Sequence, residues 1–303
     1  MKPLYSNGHK RWRVSPGCNK KRMKPLKSKP SFPAQFDLAP GKGVVVGQVQ
    51  SRFGGAAVPA KASSRVAVTH GMGLDSSAVR ANMVKKLEKQ GIEDVRVLAA
   101  MRATQRHHFV DTALANQAYE DTSLPIGWGQ TISKPNVVAR MIELLFQGKE
   151  APLGRILEIG TGCGYQAAVL SHLAQEVYSI ERLRGLFEKA QNNVRPFGFK
   201  NMHLLFGDGM LGFAKGAPYA GIIAAAGGEA IPQAWIDQLA VGGRIVAPVA
   251  NAGRDAGNFG NMTNVTPGGA NEQFLVVIDK TSLGIKRSVL ELVQFVPLKS
   301  GLG

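Results

Sequence analysis

The sequence predicts an α/β protein built on a doubly wound, mostly parallel sheet, with an antiparallel pair of strands at its C-terminal edge. Three observations carry that expectation. From Arg155 onward, apolar runs of strand length alternate with runs of helix length, the pattern of right-handed βαβ units. The turn after the first of these strands is rich in glycine, EIGTGCG at 158–164. The last two apolar runs, QFLVVIDKT and VLELVQFVPL, have no room for a helix between them, so they should return side by side.

The elements follow in chain order. Up to about Thr69 neither helical nor strand periodicity is sustained, and Lys, Arg, Pro, Gly and Ser recur, as in KKRMKPLKSKP. Such a segment buries too little apolar surface to offset its chain entropy. Residues 1–75 are expected to be a disordered basic leader, with GVVVGQVQ at 43–50 left as coil, and residues 76–303 the folded domain. Asp75, Ser76 and Ser77 are candidate N-caps for a first helix with Val79, Met83, Val84 and Leu87 on one face, stopped by Gly91. A second helix is expected over Glu93–Ala103, with Val95, Val97, Leu98 and Met101 apolar.

Pro125, Gly127, Gly129 and Pro135 punctuate LPIGWGQTISKP (124–135) too often for a regular element. A helix over Asn136–Gln147 comes next, with Val137, Met141, Leu144 and Leu145 inward. The alternating region then reads strand RILEIG, helix YQAAVLSHLA, strand EVYSIE, helix LRGLFEKAQNNVRPFG, strand HLLFGD, strand AGIIAAA, helix PQAWIDQLAVGG and strand RIVAPV. The Asn- and Gly-rich stretch from Asn251 to Asn271 is expected to be a mobile loop.

Composition narrows the function classes. Of 303 residues, 44% are hydrophobic, ample for a core. The longest apolar stretches, such as AGIIAAAG from Ala220 to Gly227, fall short of the roughly 18–20 residues of a membrane helix. The basic N-terminus lacks the apolar core, about 7–15 residues long, of a secretory signal. A cytoplasmic protein is expected. With only Cys18 and Cys163, neither a structural disulfide nor a cysteine-rich metal site is expected. His107 and His108 are adjacent and should diverge, which makes a poor metal pair.

The charge is concentrated at one end. Residues 1–80 hold fifteen of the 37 Lys and Arg but only Asp37 and Asp75 of the 21 acids, while residues 81–303 are nearly balanced. The leader is either a solvated tail or a weak patch for nucleic acid or anionic surfaces. Only Trp12 interleaves its densest charge, so a specific RNA-binding module is not indicated.

The chemistry resides in the glycine turn and the acids around it. In an open α/β sheet the turn after the first strand faces the binding crevice, and its glycines let a ligand approach the backbone. A dinucleotide fingerprint would need glycine where this chain has Tyr165, and no G-K-[ST] of a phosphate loop follows. The remaining common user of an acid-x-G-x-G-x-G turn is S-adenosylmethionine (AdoMet). Glu158, Gly160, Thr161 and Gly162 would hold it. Glu181, ending the second strand, could accept both ribose hydroxyls, and Asp208, beside Gly209 at the end of the third, could reach the adenine amino group.

LPIGWGQTISKPNVVARMIELL, RILEIGTGCGYQAAVLSHLA, VYSIER, GDG and FVPLKSG together resemble the protein-L-isoaspartate O-methyltransferase family, from about Asn82 to the C-terminus. The resemblance implies a Rossmann-like AdoMet methyltransferase that repairs damaged proteins by methylating the free carboxylate of L-isoaspartyl residues. It also implies that Ser133 contacts the acceptor carboxylate, with Gln130, Thr131 and Ile132 forming the loop over the site. Such a reaction needs no metal and no general base, because a carboxylate with a pKa of about 4 is already ionised at neutral pH. Two departures concern the fourth strand, where Ala220 replaces the family's aspartate and AAAGGEAIP, including Ala225, replaces a Thr-containing run. RNA or another acceptor remains open as an alternative, as does a protein that binds AdoMet without activity.

Overall fold

Among the described residues seven strands form one sheet, in the spatial order 202–206, 174–181, 153–159, 219–224, 239–250, 273–281 and 284–293. A computed structural model of the chain describes residues 77–149, 152–250, 252 and 272–303. The leader, its strand-like GVVVGQVQ, the caps Asp75 and Ser76, and all of 251–271 except Ala252 lie outside the described residues. Among the described residues no helix is long and apolar enough to cross a membrane.

Helices α1 (Ser77–Lys89) and α2 (Val95–Ala103) open the described chain. Met83, Val84 and Leu87 of α1 are buried as their spacing predicts, and Gly91 takes a φ of +94° just beyond the helix end. Asp94 caps α2, its carboxylate accepting from the backbone N–H of Arg96 and Val97. That cap turns Val95 outward, 75% exposed. In α3 (Pro135–Phe146) Met141, Leu144 and Leu145 are buried, but Val138 takes the inward place expected of Val137.

The sheet core is parallel. Strands β3 (Leu153–Ile159), β4 (Ala174–Glu181), β5 (Met202–Phe206), β6 (Tyr219–Ala224) and β7 (Leu239–Ala250) run in one direction. Antiparallel β8 (Gln273–Thr281) and β9 (Gly284–Val293) complete the edge. Alternate side chains fill two cores. Ile156, Val177, Ile223 and Val246 face α1–α3 and α4 (Tyr165–Ser171), all seven residues of which are buried. Leu157, Ile159, Ile180, Ile222 and Ile245 face the side closed by Trp235 of α6 (Gln233–Gln238). Helix α5 (Arg184–Val194) buries Leu186 and Ala190 and ends in a 3₁₀ turn and Gly198.

Several expectations change. The punctuated segment 124–135 is a hairpin, with β1 (Leu124–Gly127) antiparallel to β2 (Gln130–Ile132). Pro125 is tolerated because a two-stranded ladder leaves one edge of each strand free. Gly127, Trp128 and Gly129 turn the corner, all at positive φ. The helix expected over 232–243 stops at Gln238, since Leu239 pairs with Tyr219 and Gly242 has a φ of +82°. A Gly-Gly pair disfavours helix continuation by about 1 kcal/mol per residue and lets β7 start early around a bulge. β9 begins five residues before the apolar run that marked it, because Thr281 and Gly284 close a tight turn. His107 and His108 lie in a 3₁₀ turn and do not diverge, their ring centroids standing 4.3 Å apart. His107 Nδ1 lies 2.6 Å from Tyr119 Oη.

At the sheet centre Glu158 lies directly across from Ser179, whose hydroxyl donates to Glu158 Oε2. Thr161 Oγ1 joins the pair at 2.6 Å from Ser179 Oγ. Glu158 Oε1 and Gln166 Nε2 are both buried without a hydrogen-bond partner. Burial pushes the Glu158 carboxyl up to about 8, against the opposing pull of the Ser179 hydroxyl and the nearby Gln166 amide. The native protein therefore keeps a proton that the unfolded chain, titrating near 4.5, has released. The resulting stability is lost as pH rises from about 5 to about 8. Relative to Glu158→Gln, the melting temperature of the ligand-free protein should fall across that window and hold a constant offset above it. An offset that does not vary with pH would show that Glu158 ionises normally in the native state.

Candidate active site

A cavity of about 470 Å³ opens at the C-terminal ends of β3 and β4. Its floor is the glycine turn. Gly160, Gly162 and Gly164 have φ of +89°, +57° and +92°, values that L side chains rarely adopt. A Cβ on Gly162 would stand 3.2 Å from Ile126 Cδ1, between the turn and the β1–β2 hairpin. Gly160 and Thr161 donate their N–H groups to Ile180 O at 2.9 and 3.2 Å, which stitches the turn to β4.

Glu181 anchors the same turn. It is 5% exposed, and its carboxylate accepts from Gly162 N and Leu183 N, both at 2.9 Å. It also lines the cavity, so acceptor capacity remains on an oxygen pair with about four lone-pair sites. Its two backbone bonds give it a bracing role that spacing did not reveal.

The other acids stand differently. Glu158 lies beneath the turn and is not among the lining residues. Asp208 caps the 3₁₀ turn Gly209–Leu211, accepting from Met210 N at 2.8 Å and from Gly301 N at 2.6 Å. It too is absent from the lining, whereas Gly209 is present. A Cβ on Gly209 would come within 2.5 Å of Ile159 Cγ2, so glycine keeps that wall closed against the sheet.

Gln130, Thr131, Ile132 and Ser133 all line the cavity from the hairpin side. A second cavity of about 420 Å³ adjoins it and shares Thr131, Ser133, Ala225 and Val296 with the first. Ser133 is half-buried, and its hydroxyl makes no hydrogen bond among the described residues. Ala225, in the altered fourth-strand run, lines both cavities, and its N–H is held by Ile159 O at 2.8 Å. Ala220 lies on β6 beside Gly154, away from both cavities.

Sequence reasoning missed three parts of the wall. Trp128 sits on the rim, 57% exposed and at a φ of +52°. Its indole covers Gly185 so closely that a Cβ there would fall 2.2 Å from Trp128 Cζ2. Its place between two glycines in the 124–135 segment was the available signal. Val296, Pro297 and Leu298 close another side, held by Gly227 N to Val296 O and Leu298 N to Gly227 O, both 2.8 Å. The FVPLKSG motif contains them, but nothing local places them in the wall, which they reach only through the return of β8 and β9. Arg182 and Leu183 complete the mouth.

A family model described as protein-L-isoaspartate(D-aspartate) O-methyltransferase matches residues 78–303. The protein-L-isoaspartate O-methyltransferase of Methylibium petroleiphilum is 60% identical over 233 residues, covering 76% of this chain and 81% of that protein. The enzyme of the same description from Ralstonia nicotianae is 45% identical over 303 positions, covering 95% of this chain and 90% of its own length. A solved protein-L-isoaspartate O-methyltransferase superposes with a TM-score of 0.62 at 27% identity, over 74% of this chain and 67% of that one. A Plasmodium falciparum structure in complex with S-adenosyl-L-homocysteine has the same fold, with a TM-score of 0.58 at 22% identity over 73% of this chain and 98% of that one. A family model spanning the described fold, and relatives that align over most of both chains, leave one assignment: the chain belongs to the protein-L-isoaspartate(D-aspartate) O-methyltransferase family.

Proposed function

We propose that the larger cavity holds AdoMet and that Ser133, where the two cavities meet, receives the isoaspartyl carboxylate. The activity is that of the family, methylation of isoaspartyl residues in damaged proteins. The observation that carries the division of labour is the position of Ser133, which lines both cavities with an unengaged hydroxyl. Gly160, Thr161 and Gly162 present backbone to the methionyl part, Glu181 accepts from the ribose, and Gly209 forms the wall beside the adenine. Asp208 does not line the cavity, so its role in this reading is the weaker. Gln130, Thr131 and Ile132 frame the acceptor.

The donor supplies an electrophilic methyl on a cationic sulfur. Everything else asked of the chain is placement. The acceptor oxygen is already anionic and needs no base. A hydroxyl such as that of Ser133 orients it without neutralising it. The carboxylate loses its charge as the ester forms, so a site walled by Ile126, Ile159, Val138 and Leu298 favours that step by withholding water. A cytoplasmic setting accompanies this reading, supported by a sequence with only two cysteines. Weak contact with nucleic acid through the basic leader was the sole support for RNA as acceptor, and the leader lies outside the described residues.

Glu181→Ala should weaken AdoMet binding by about 1.5–3 kcal/mol, the range for losing a charged hydrogen-bond acceptor. It should also lower the melting temperature, because Gly162 N and Leu183 N lose their partner. Calorimetric titration beside a thermal melt separates the two effects, and a lowered melt with unchanged affinity would make Glu181 a brace only. Ser133→Ala should leave AdoMet affinity and melting temperature nearly unchanged. Its single-turnover methylation of an isoaspartyl peptide should fall by on the order of a hundredfold, the cost of misplacing a reacting oxygen by about 1 Å. Full single-turnover activity would remove Ser133 from the acceptor site.

A further inference from the structure

We propose that Arg106 is a positioning residue for acceptor methylation, its buried guanidinium fixing the main chain of Ser133 where the two cavities meet. The proposal rests on the reading of Ser133 given above. Arg106 lies in the 3₁₀ turn Arg106–Phe109 and is fully buried. Its Nη2 donates to Ser133 O at 2.8 Å and its Nε to Ala118 O at 2.8 Å, with a longer contact of 3.5 Å from Nη2 to Thr122 O. The guanidinium carbon stands 4.7 Å from the centroid of the Tyr165 ring. Nη1 has no hydrogen-bond partner, and no carboxylate lies within ion-pair distance among the described residues.

A buried cation without a carboxylate is a costly way to brace a loop, since desolvation is offset only by carbonyl dipoles and one aromatic face. The placement of its partners explains what the cost secures. Ala118 and Thr122 precede β1, and Ser133 follows β2, so a single planar fork clamps together both ends of the hairpin that frames the acceptor. Tyr165, the aromatic partner, is the first residue after the glycine turn and lines the larger cavity. One side chain thereby registers the acceptor loop against the cofactor turn. A fork with fixed donor directions suits this task, and a lysine ammonium does not reproduce it.

The test is single-turnover methyl transfer from saturating AdoMet to an isoaspartyl peptide in Arg106→Lys, Ser133→Ala and the double variant, with AdoMet affinity measured on each. Arg106→Lys keeps the charge but loses the fork. It should slow transfer by about tenfold or more and hold AdoMet affinity within about twofold. It should add little to the defect of Ser133→Ala, because both changes act on the same placement. Arg106→Met, which fills the volume without donors, should behave like Arg106→Lys. A wild-type rate in Arg106→Lys, or the same fold-loss with and without Ser133, would overturn the proposal. So would loss of AdoMet binding and cooperative unfolding in both Arg106 variants, which would make the residue a determinant of the fold at large. Full activity of Ser133→Ala alone would overturn the underlying reading of Ser133 instead.

Discussion

The chain leaves β3 in one direction across the sheet, to β4 and β5, and returns to the other side of β3 for β6 and β7. That reversal is the constraint on which the rest depends. Helices following β3 and β6 must pass on opposite faces, so a crevice opens beyond the carboxyl end of β3, where neither covers the strand ends. The glycine turn, Glu181 and Gly209 all end strands at this one edge. Their convergence follows from topology, before any specific side-chain contact is considered.

The crevice has no ready-made wall on its open side, and two distant segments supply one. The β1–β2 hairpin comes from before the sheet and Val296–Leu298 from after it. Each is short, and neither can bury enough apolar surface to fix itself. The hairpin is held by Ile126 against Gly162, by Lys189 Nζ donating to Ile126 O at 2.9 Å and by the Arg106 clamp. The C-terminal segment is held by the two bonds with Gly227 and by Gln273, whose side chain bonds both Phe295 N and Phe295 O. Polar contacts add to the burial of Leu124, Ile126 and Ile132 in the core.

Two buried ionisable groups bracket this arrangement in opposite ways. Glu158 lies under the glycine turn and meets burial by retaining a proton, with its pKa pushed up to about 8. Arg106 lies at the base of the β1–β2 hairpin. Burial lowers its pKa, yet a guanidinium titrates so far above neutrality that it stays charged. The carboxyl therefore behaves as a neutral polar pin between β3 and β4, while the guanidinium remains a cation that only carbonyls and a ring can satisfy.

The alternating apolar periods from Arg155 onward determined by themselves that the chain forms a parallel sheet. The glycine turn, read against Tyr165, pointed to a class of cofactor, because those signals are local and each element's periodicity is its own. The GQTIS run and the neighbouring motifs likewise pointed to the family. Tertiary structure decided what locality hides. It made strands of the punctuated 124–135 segment, since a hairpin needs only its partner and a turn at positive φ, and it claimed Leu239–Gly243 for β7, since pairing with β6 outweighs weak helix propensity. It placed Val296–Leu298 in the cavity wall, more than a hundred residues from the glycine turn. It also left Asp208 outside the lining, as the cap of the 3₁₀ turn that follows β5. A strand-terminal acid looks the same in sequence whether or not it faces a cavity, and only the placement of the strand ends around that cavity distinguishes Glu181 from Asp208.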